Sequence, residues 1–225
     1  GQCRRLRLLQ PARGALALVD HGPLRGEPDI LLLGLDRRDA GEPGRADTII
    51  LARLDPGAGT ASLLSIPRDL MVTNPATGQA ERINALPQQD LSNLVAAVET
   101  EVGVPVDHVM EVDFAGMTSL VDLVGGIHVR VESPLRDRMS GLAIDTPGCV
   151  TLDGEQALAL LRSRHLEVQR ESGDWLPELR SDLGRMEYQR AVAVATLSDL
   201  ETRPDPVEAN QLADWVAENV TMDDA

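Results

Sequence analysis

The chain has 225 residues, 43% of them hydrophobic and 2% aromatic, and its formal net charge is −15 at pH 7. This acidity excludes a general binder of nucleic acid or anionic lipid, because such proteins present an extended basic face. No apolar run approaches the roughly 20 residues that span a bilayer, and the scarcity of aromatic residues indicates a core of Leu, Val, Ile and Ala.

The first part of the chain is interpreted as an N-terminal segment followed by buried strands. Residues 1–28 are rich in Arg, Pro and Gly. Continuous apolar runs bounded by turn residues then predict three strands, over Asp29–Leu35, Asp47–Leu54 and Thr60–Ile66. The turn signal DPGAG at residues 55–59 indicates that the last two strands form a hairpin.

The rest of the chain interleaves helical and strand patterns. Apolar residues at helical spacing predict helices over Asp90–Glu101, Phe114–Val124, Glu155–Leu161, Asp182–Leu200 and Pro206–Asn219. Strands are predicted over Val106–Asp113 and Ile127–Val131, whereas Ser133–Cys149 is interpreted as a loop and His165–Ser181 as a polar, irregular stretch. Because strands and helices alternate, we expect an α/β fold with a mixed sheet.

Short clusters of Arg and Asp stand where these elements begin or end. The chain contains no lysine, so all 21 basic residues are arginines. The clusters are Asp36 with Arg37, Arg45 with Asp47, Arg68 with Asp69, Arg82, Arg162 with Arg164, and Arg185. An arginine grips two phosphate oxygens at once, and aspartate carboxylates suit magnesium. Together the clusters predict a pocket for a pyrophosphate with its metal.

Plainer interpretations of the first clusters stay open. Asp36 follows one predicted strand and Asp47 begins the next, so the two carboxylates either converge on a metal or cap turns. As turn caps they would pair with Arg37 and Arg45. Arg68 equally suits a surface salt bridge, which is usually worth less than about 1 kcal/mol.

The later arginines place a stricter condition on the backbone conformation. Arg162 and Arg164 would not share one face of a helix, because helical neighbours lie three or four positions apart. A common anion therefore requires the chain to leave the helix near Ser163. Arg185 and Gln189 are four positions apart and are predicted to share one helical face.

Seven motifs in order carry a resemblance to a known family. They are GLDRR, GRADTIIL, LLSIPRD, RINA, VDFAGMTSLVDLVGGIHV, LDGEQALALLRSR and SDLGRMEYQR. The chain resembles the LytR–CpsA–Psr family of cell-wall glycopolymer transferases from about Asp29 to Val194. Any one motif would be weak, and the ordered set makes the resemblance specific.

The resemblance implies a three-layer α/β/α sandwich around a mixed central β-sheet, with a hydrophobic polyprenyl-binding tunnel. The catalytic domain would cover residues 29–203, with residues 204–225 as a C-terminal amphipathic helix and tail. Family members use magnesium to move a glycopolymer from a polyprenyl-pyrophosphate carrier to the 6-hydroxyl of N-acetylmuramic acid in peptidoglycan. They lie on the extracellular face of the cytoplasmic membrane, held by an anchor helix. We therefore expect this chain to be a soluble fragment without that helix, and no nucleic acid partner.

The resemblance also implies roles for particular residues. Asp36 and Asp47 match the metal-associated aspartates. The phosphate-binding positions of the family match Arg37, Arg45, Arg68, Arg82, Arg162, Arg164, Arg185 and Gln189. The catalytic positions match Arg68, Asp69, Arg162 and Arg164, with Asp69 either orienting Arg68 or accepting the proton of the acceptor hydroxyl.

Departures from the family pattern keep the interpretation as a non-catalytic binder open. Tyr188 stands where family members commonly have Arg, and Leu160 where they commonly have Tyr. The long separation of Arg164 from Arg185 is similar to that of actinobacterial members, which implies arabinogalactan or a related donor. The alternatives are a polyprenyl-pyrophosphate hydrolase and a non-catalytic binder of polyprenyl-linked sugars.

The two cysteines, Cys3 and Cys149, fit one disulfide in an exported protein or two thiols in a cytosolic one. Because the resembled family works outside the membrane, we expect a Cys3–Cys149 disulfide.

Overall fold

The structure is a computed structural model. It describes residues 4–5, 28–36, 44–55, 60–178, 181–201, 211, 214–215, 218 and 221–224. Arg37 and Cys3 lie outside the described residues, as does most of the helix predicted over Pro206–Asn219. Of that segment, Gln211, Asp214, Trp215 and Glu218 are helical.

The strands are β1 Arg4–Arg5, β2 Asp29–Asp36, β3 Arg45–Asp55, β4 Thr60–Ser65, β5 Met71–Thr73, β6 Ala80–Arg82, β7 His108–Asp113, β8 Ile127–Val131, β9 Leu135–Asp137, β10 Leu142–Ile144, β11 Gly148–Leu152, β12 Glu167–Gln169, β13 Trp175–Pro177 and β14 Thr221–Asp224. The helices are α1 Leu91–Val102, α2 Phe114–Leu123, α3 Gly154–Arg162 and α4 Ser181–Glu201, with a 3₁₀ helix at Ile83–Gln88. The strands and helices predicted between Asp29 and Leu200 are therefore present, with their ends shifted by a few residues.

The main sheet is mixed, as predicted. Among the described residues its strand order is β14-β7-β2-β3-β4. β2 and β7 are parallel, and β2, β3 and β4 are successively antiparallel. β3 and β4 pair as the predicted hairpin. The ends of β2 and β7 therefore lie at the same edge of the sheet, next to the start of β3.

Helices pack in two hydrophobic clusters, one on the main sheet and one on the smaller sheets. Along β2 every second residue is buried, and Leu31 and Leu33 pack with Leu94 and Val98 of α1. The second cluster joins α2, α3 and α4 to the smaller sheets, with Val192 of α4 at 0% exposure. α2 and α4 also contact strands of the main sheet. The α/β class is thus confirmed, and the polyprenyl tunnel stays a prediction.

Two interpretations of irregular structure were wrong. The predicted loop Ser133–Cys149 contains β9, β10 and the start of β11, and the stretch His165–Ser181 contains the hairpin of β12 and β13. Among the described residues β10, β9, β12 and β13 form one sheet. Each of these strands is three residues long, which is too short to show a clear alternation in the sequence.

Packing of α3 on α2 fixes the direction in which α3 runs. A Cβ on Gly154 would lie 2.3 Å from the backbone oxygen of Thr118, so only glycine permits this approach. The Gly154 N–H donates to Asp122 Oδ1 at 2.7 Å. Asp153 and Gln156 form a reciprocal capping box at the same end. The N-terminus of α3 is thereby anchored, and its C-terminus carries Arg162.

Cys149 lies in β11 and is disulfide-bonded. The sequence contains one other cysteine, Cys3, which lies outside the described residues. Within the part of the chain that the structure describes, no helix combines the length and the hydrophobicity needed to cross a membrane.

Candidate phosphate-binding site

A β-bulge at Asp47 shapes the edge of the main sheet. Asp36 pairs with Arg45, and the register shifts between Gly34 and Leu35 so that Gly34 pairs with Thr48. Asp47 is therefore the extra residue on β3. A Cβ on Gly34 would lie 2.9 Å from the Cβ of Thr48, so glycine allows the strands to approach here. Bulges redirect a side chain out of the regular alternation, and they are frequent beside active sites.

The Asp47 carboxylate joins two predicted arginines. Its Oδ1 accepts a hydrogen bond from Arg68 Nη1 at 2.7 Å, and its Oδ2 accepts one from Arg164 Nη2 at 3.4 Å. The Arg68 and Asp47 side chains are 17% and 15% exposed, whereas Arg164 is 50% exposed. The Arg68 side chain is thus mostly buried, whereas the half-exposed Arg164 contacts Asp47 from the solvent side.

Asp69 links Arg68 to Arg82. Its Oδ2 lies 3.6 Å from Arg68 Nε, and its Oδ1 lies 3.5 Å from Arg82 Nη1. The Asn84 N–H donates to the Arg68 carbonyl at 3.2 Å, which brings the segments that carry Arg68 and Arg82 together. Asp69 thus lies at ion-pair distance from both arginines, and both roles predicted for it stay predictions.

The side chains of α4 approach the same strand from another direction. Gln189 Nε2 donates to the Asp47 carbonyl at 3.2 Å, across a sequence separation of 142 residues. Arg185, one helical turn earlier, is 3% exposed and Gln189 is 7% exposed. The departures at Tyr188 and Leu160 are core positions, at 2% and 1% exposure in the second hydrophobic cluster.

Arg162 is held by an aromatic ring at this edge. Its Cζ lies 5.4 Å from the centroid of Phe114, the only phenylalanine in the chain. Phe114 directly follows Asp113, which is in register with Leu35 of β2. Arg162 therefore lies near the end of β2, where Asp36 is found. Such a cation–π contact is worth about 0.5–1 kcal/mol at an exposed site.

The chain leaves the helix at Ser163, as a shared anion requires. α3 ends at Arg162, and Ser163 has an extended conformation with φ −64° and ψ 123°. In a continued helix, side chains two positions apart would diverge by roughly 200° around the axis. Because Ser163 is extended, the side chains of Arg162 and Arg164 need not point in the opposite directions that a helix would impose.

The sequence analysis missed Asp137, which holds this turn. The side chain is 0% exposed at the end of β9. Its Oδ2 accepts hydrogen bonds from Ser163 Oγ at 2.7 Å and from the N–H groups of Arg164 and His165, each at 2.9 Å. Its Oδ1 accepts from the N–H groups of Met139 at 2.8 Å and Ser140 at 3.3 Å.

These hydrogen bonds set the charge of the buried carboxylate. Burial alone raises the pKa of Asp137, but donation from His165 N–H, the Ser163 hydroxyl and the N–H groups of Met139 and Ser140 outweighs it. The net result is a pKa below the usual value, so Asp137 is a carboxylate at neutral pH.

The residues that could hold a metal are Asp36 and Asp47. Asp36 pairs with Arg45 directly beside the bulge. Magnesium is commonly bound by one or two carboxylates together with phosphate oxygens, so this donor set fits it. Within the described ranges no group of three or more His, Cys, Asp or Glu side chains could hold a metal by itself. A metal here would therefore need phosphate oxygens from a ligand.

The structure joins most of the predicted site residues through hydrogen bonds and ion pairs. Those joined are Asp47, Arg68, Asp69, Arg82, Arg164 and Gln189. Asp36, Arg45 and Arg162 lie at the same sheet edge by register or ring contact, and Arg185 is one turn from Gln189 on α4. Arg37 lies outside the described residues.

Comparison with known proteins decides the family. The sequence profile of the LytR_cpsA_psr family matches residues 18–224. The chain belongs to the LytR–CpsA–Psr family. The resemblance carried by the seven motifs is thereby confirmed.

The relatives of this family member include enzymes of known structure. The polyisoprenyl-teichoic acid–peptidoglycan teichoic acid transferase TagU of Oceanobacillus iheyensis is 33% identical over 203 residues, covering 87% of this chain and 58% of TagU. The LytR-Csp2A-Psr enzyme from Actinomyces oris superposes with a TM-score of 0.73 at 32% identity, covering 87% of this chain and 70% of that one. Bacillus subtilis TagV superposes with a TM-score of 0.71 at 28% identity, covering 88% and 74%. The chain spans 50–62% of the length of the first four curated relatives it matches.

Proposed function

We propose that this chain is a magnesium-assisted phosphotransferase that moves a glycopolymer from a polyprenyl-pyrophosphate carrier to the 6-hydroxyl of N-acetylmuramic acid in peptidoglycan. The observation that carries the proposal is the convergence of Arg68 and Arg164 on Asp47 at the bulge. The names of its relatives support it, because they describe transfer of polyisoprenyl-linked teichoic acid to peptidoglycan.

The chemistry is a displacement at phosphorus. The acceptor oxygen bonds to the phosphorus that carries the sugar, the bond from that phosphorus to the bridging oxygen breaks, and polyprenyl phosphate leaves with the electron pair. The proton of the acceptor hydroxyl passes to solvent. Arg68, Arg162 and Arg164 would bind the pyrophosphate oxygens and neutralise the charge that grows on the leaving phosphate. Most of the rate would come from this positioning and charge stabilisation.

Arginines that already contact carboxylates are well placed for this role. The forks of Arg68 and Arg164 face a carboxylate whose two oxygens resemble a pair of phosphate oxygens in spacing and charge. Asp69 would keep Arg68 and Arg82 in position while they bind phosphate. Gln189 would hold the bulge through the Asp47 carbonyl.

Magnesium would be held by Asp36 and Asp47. When bound, it would supply charge neutralisation at the pyrophosphate oxygens. Two carboxylates make a weak site for a strongly hydrated ion, so ligand and metal should each raise the affinity for the other by the same factor. Calorimetry with geranylgeranyl pyrophosphate, with and without magnesium, measures this factor. Asp36→Asn and Asp47→Asn should each reduce it, and equal affinities with and without magnesium in the parent protein would remove the metal from the mechanism.

Incubation with a polyprenyl-pyrophosphate-linked glycopolymer and peptidoglycan tests the activity. The proposal expects a covalent polymer–peptidoglycan product that depends on peptidoglycan. Release of phosphate product without acceptor would instead indicate the hydrolase, and binding without any product would indicate the non-catalytic binder. Arg164→Ala should abolish most of the product. Arg170 is exposed, and the Arg170→Ala protein should form as much product as the parent.

The donor polymer and the location are finer parts of the proposal. We assign arabinogalactan or a related polymer as donor, on the resemblance to actinobacterial members. We place the domain on the extracellular face of the membrane, behind an anchor helix, which agrees with the disulfide at Cys149 because disulfides persist in oxidising compartments. Competition between arabinogalactan-linked and teichoic-acid-linked donors would decide the first point.

A further inference from the structure

We propose that Asp137 is a positioning residue of the phosphate site, which acts by fixing the backbone of the turn Ser163–His165 so that Arg164 reaches Asp47. This inference rests on the proposed function of the site. Within the described residues, the side chain of Asp137 accepts hydrogen bonds from backbone N–H groups and one hydroxyl, not from an arginine guanidinium, and it lies in another part of the sequence.

The turn would not adopt this geometry by itself. Immediately beyond the end of α3, the N–H groups of Arg164 and His165 both point to one carboxylate oxygen. Ser163 is 2% exposed, so its hydroxyl would be hard to satisfy without the same oxygen. Loss of the buried Asp137 carboxylate would leave the Ser163 hydroxyl and both N–H groups without their acceptor, so the turn depends on Asp137.

Asp137 is itself rigidly held. Its Oδ1 closes the turn between β9 and β10 through Met139 and Ser140, and its carbonyl accepts from Gly141 N–H at 2.9 Å. An ionised carboxylate offers about four lone-pair positions, so these five donors use its full capacity. The position of the turn is therefore set by the small sheet of β10, β9, β12 and β13.

An amide cannot replace this carboxylate. Asn at position 137 offers one acceptor oxygen and a donor NH2 group. If the oxygen faces Met139 and Ser140, the NH2 group opposes the N–H groups of Arg164 and His165. Asp137→Asn should therefore release the turn while changing side-chain volume very little.

A double-mutant cycle tests whether Asp137 acts through Arg164. We expect Asp137→Asn to weaken binding of geranylgeranyl pyrophosphate about tenfold in the parent protein, and to have almost no further effect in the Arg164→Ala protein. A residue that only supports the fold would weaken binding by the same factor in both backgrounds, and that result would overturn the inference. The Arg162→Ala background is a control, because Arg162 precedes the turn and should retain most of the effect.

Two further measurements keep the test decisive. If Asp137→Asn does not fold, Ser163→Ala removes one of the three donors to Oδ2 and should show the same coupling to Arg164 with a smaller factor. If the parent protein binds no polyprenyl pyrophosphate, the proposed function fails, and a crystal structure of either variant still tests the positioning. The Arg164–Asp47 contact should be lost or lengthened there, and an unchanged contact would overturn the inference.

Discussion

Arg164 lies between two aspartates that hold it in different ways. The Asp47 carboxylate, which is 15% exposed, contacts the Arg164 guanidinium at 3.4 Å. The same carboxylate also contacts Arg68. Asp137, which is 0% exposed, accepts a hydrogen bond from the Arg164 backbone N–H at 2.9 Å. One carboxylate therefore contacts the functional group, and the other contacts the backbone that carries it.

The difference separates binding from positioning. Charged side chains around Asp47 can exchange one anionic partner for another, because each is within reach of solvent. Asp137 itself is buried, so the backbone donors that bind it have one fixed acceptor inside the protein. Substitutions at the two aspartates should thus affect different quantities.

The largest effect is expected from Asp137→Ala on stability. Removing the carboxylate leaves four backbone N–H groups and one hydroxyl without their acceptor. We expect the free energy of unfolding to fall by about 3 kcal/mol or more, measured by urea denaturation. Ser163→Ala is the matched control and should cost only about 1 kcal/mol. A loss below 1 kcal/mol for Asp137→Ala would mean that the turn does not depend on it.

Arg164→Ala should give the converse result. The side chain is half-exposed, so its removal should change the melting temperature little. Loss of a charge-assisted contact should weaken binding of geranylgeranyl pyrophosphate by about 1.5–3 kcal/mol, measured by calorimetry. Arg170→Ala, on the exposed turn between β12 and β13, should leave the affinity unchanged. A destabilised Arg164→Ala protein whose folded fraction binds normally would assign this arginine to the structure.

Acid should remove the stabilisation by Asp137. Because its pKa is lowered in the folded chain, the stabilisation is complete above the unfolded value of about 3.9 and is lost as pH falls through the folded value. The difference in unfolding free energy between the parent and Asp137→Asn should be constant above about pH 5 and shrink below pH 4. Urea unfolding across this range measures it, and a difference that does not depend on pH would contradict the assignment of an ionised Asp137.

The residues around Asp47 could be named from the sequence, whereas the backbone contacts of Asp137 could not. Asp47, Arg68 and Arg164 stand at the ends of long elements such as β3 and α3, where periodicity and turn residues are clear. The bulge could not be predicted, because one extra residue on a strand leaves no pattern of its own.

Asp137 was missed for a physical reason. It ends a three-residue strand inside a stretch that was interpreted as a loop. An aspartate before a Gly-containing turn suggests local bonds to Met139 and Ser140, which do occur. Its contacts with residues 163–165 span 26 to 28 positions, and such a pairing depends on how the small sheet packs against α3.

The smallest effect is expected from Phe114→Leu. Leucine keeps an apolar side chain but offers no ring face to Arg162, whose contact is worth about 0.5–1 kcal/mol. Affinity for geranylgeranyl pyrophosphate should fall by a factor of about two to five, with no further loss when Arg162 is already Ala. Phe114→Tyr retains the ring and should bind like the parent. An equal loss from Phe114→Leu in the parent and in the Arg162→Ala protein would show that Phe114 contributes packing alone.

A crystal structure of the parent protein with geranylgeranyl pyrophosphate and magnesium tests the central claim most directly. The account predicts pyrophosphate oxygens within hydrogen-bond distance of the Arg68 and Arg164 guanidinium groups, while Asp137 still accepts from the N–H groups of Arg164 and His165. A pyrophosphate that contacts neither arginine would contradict it.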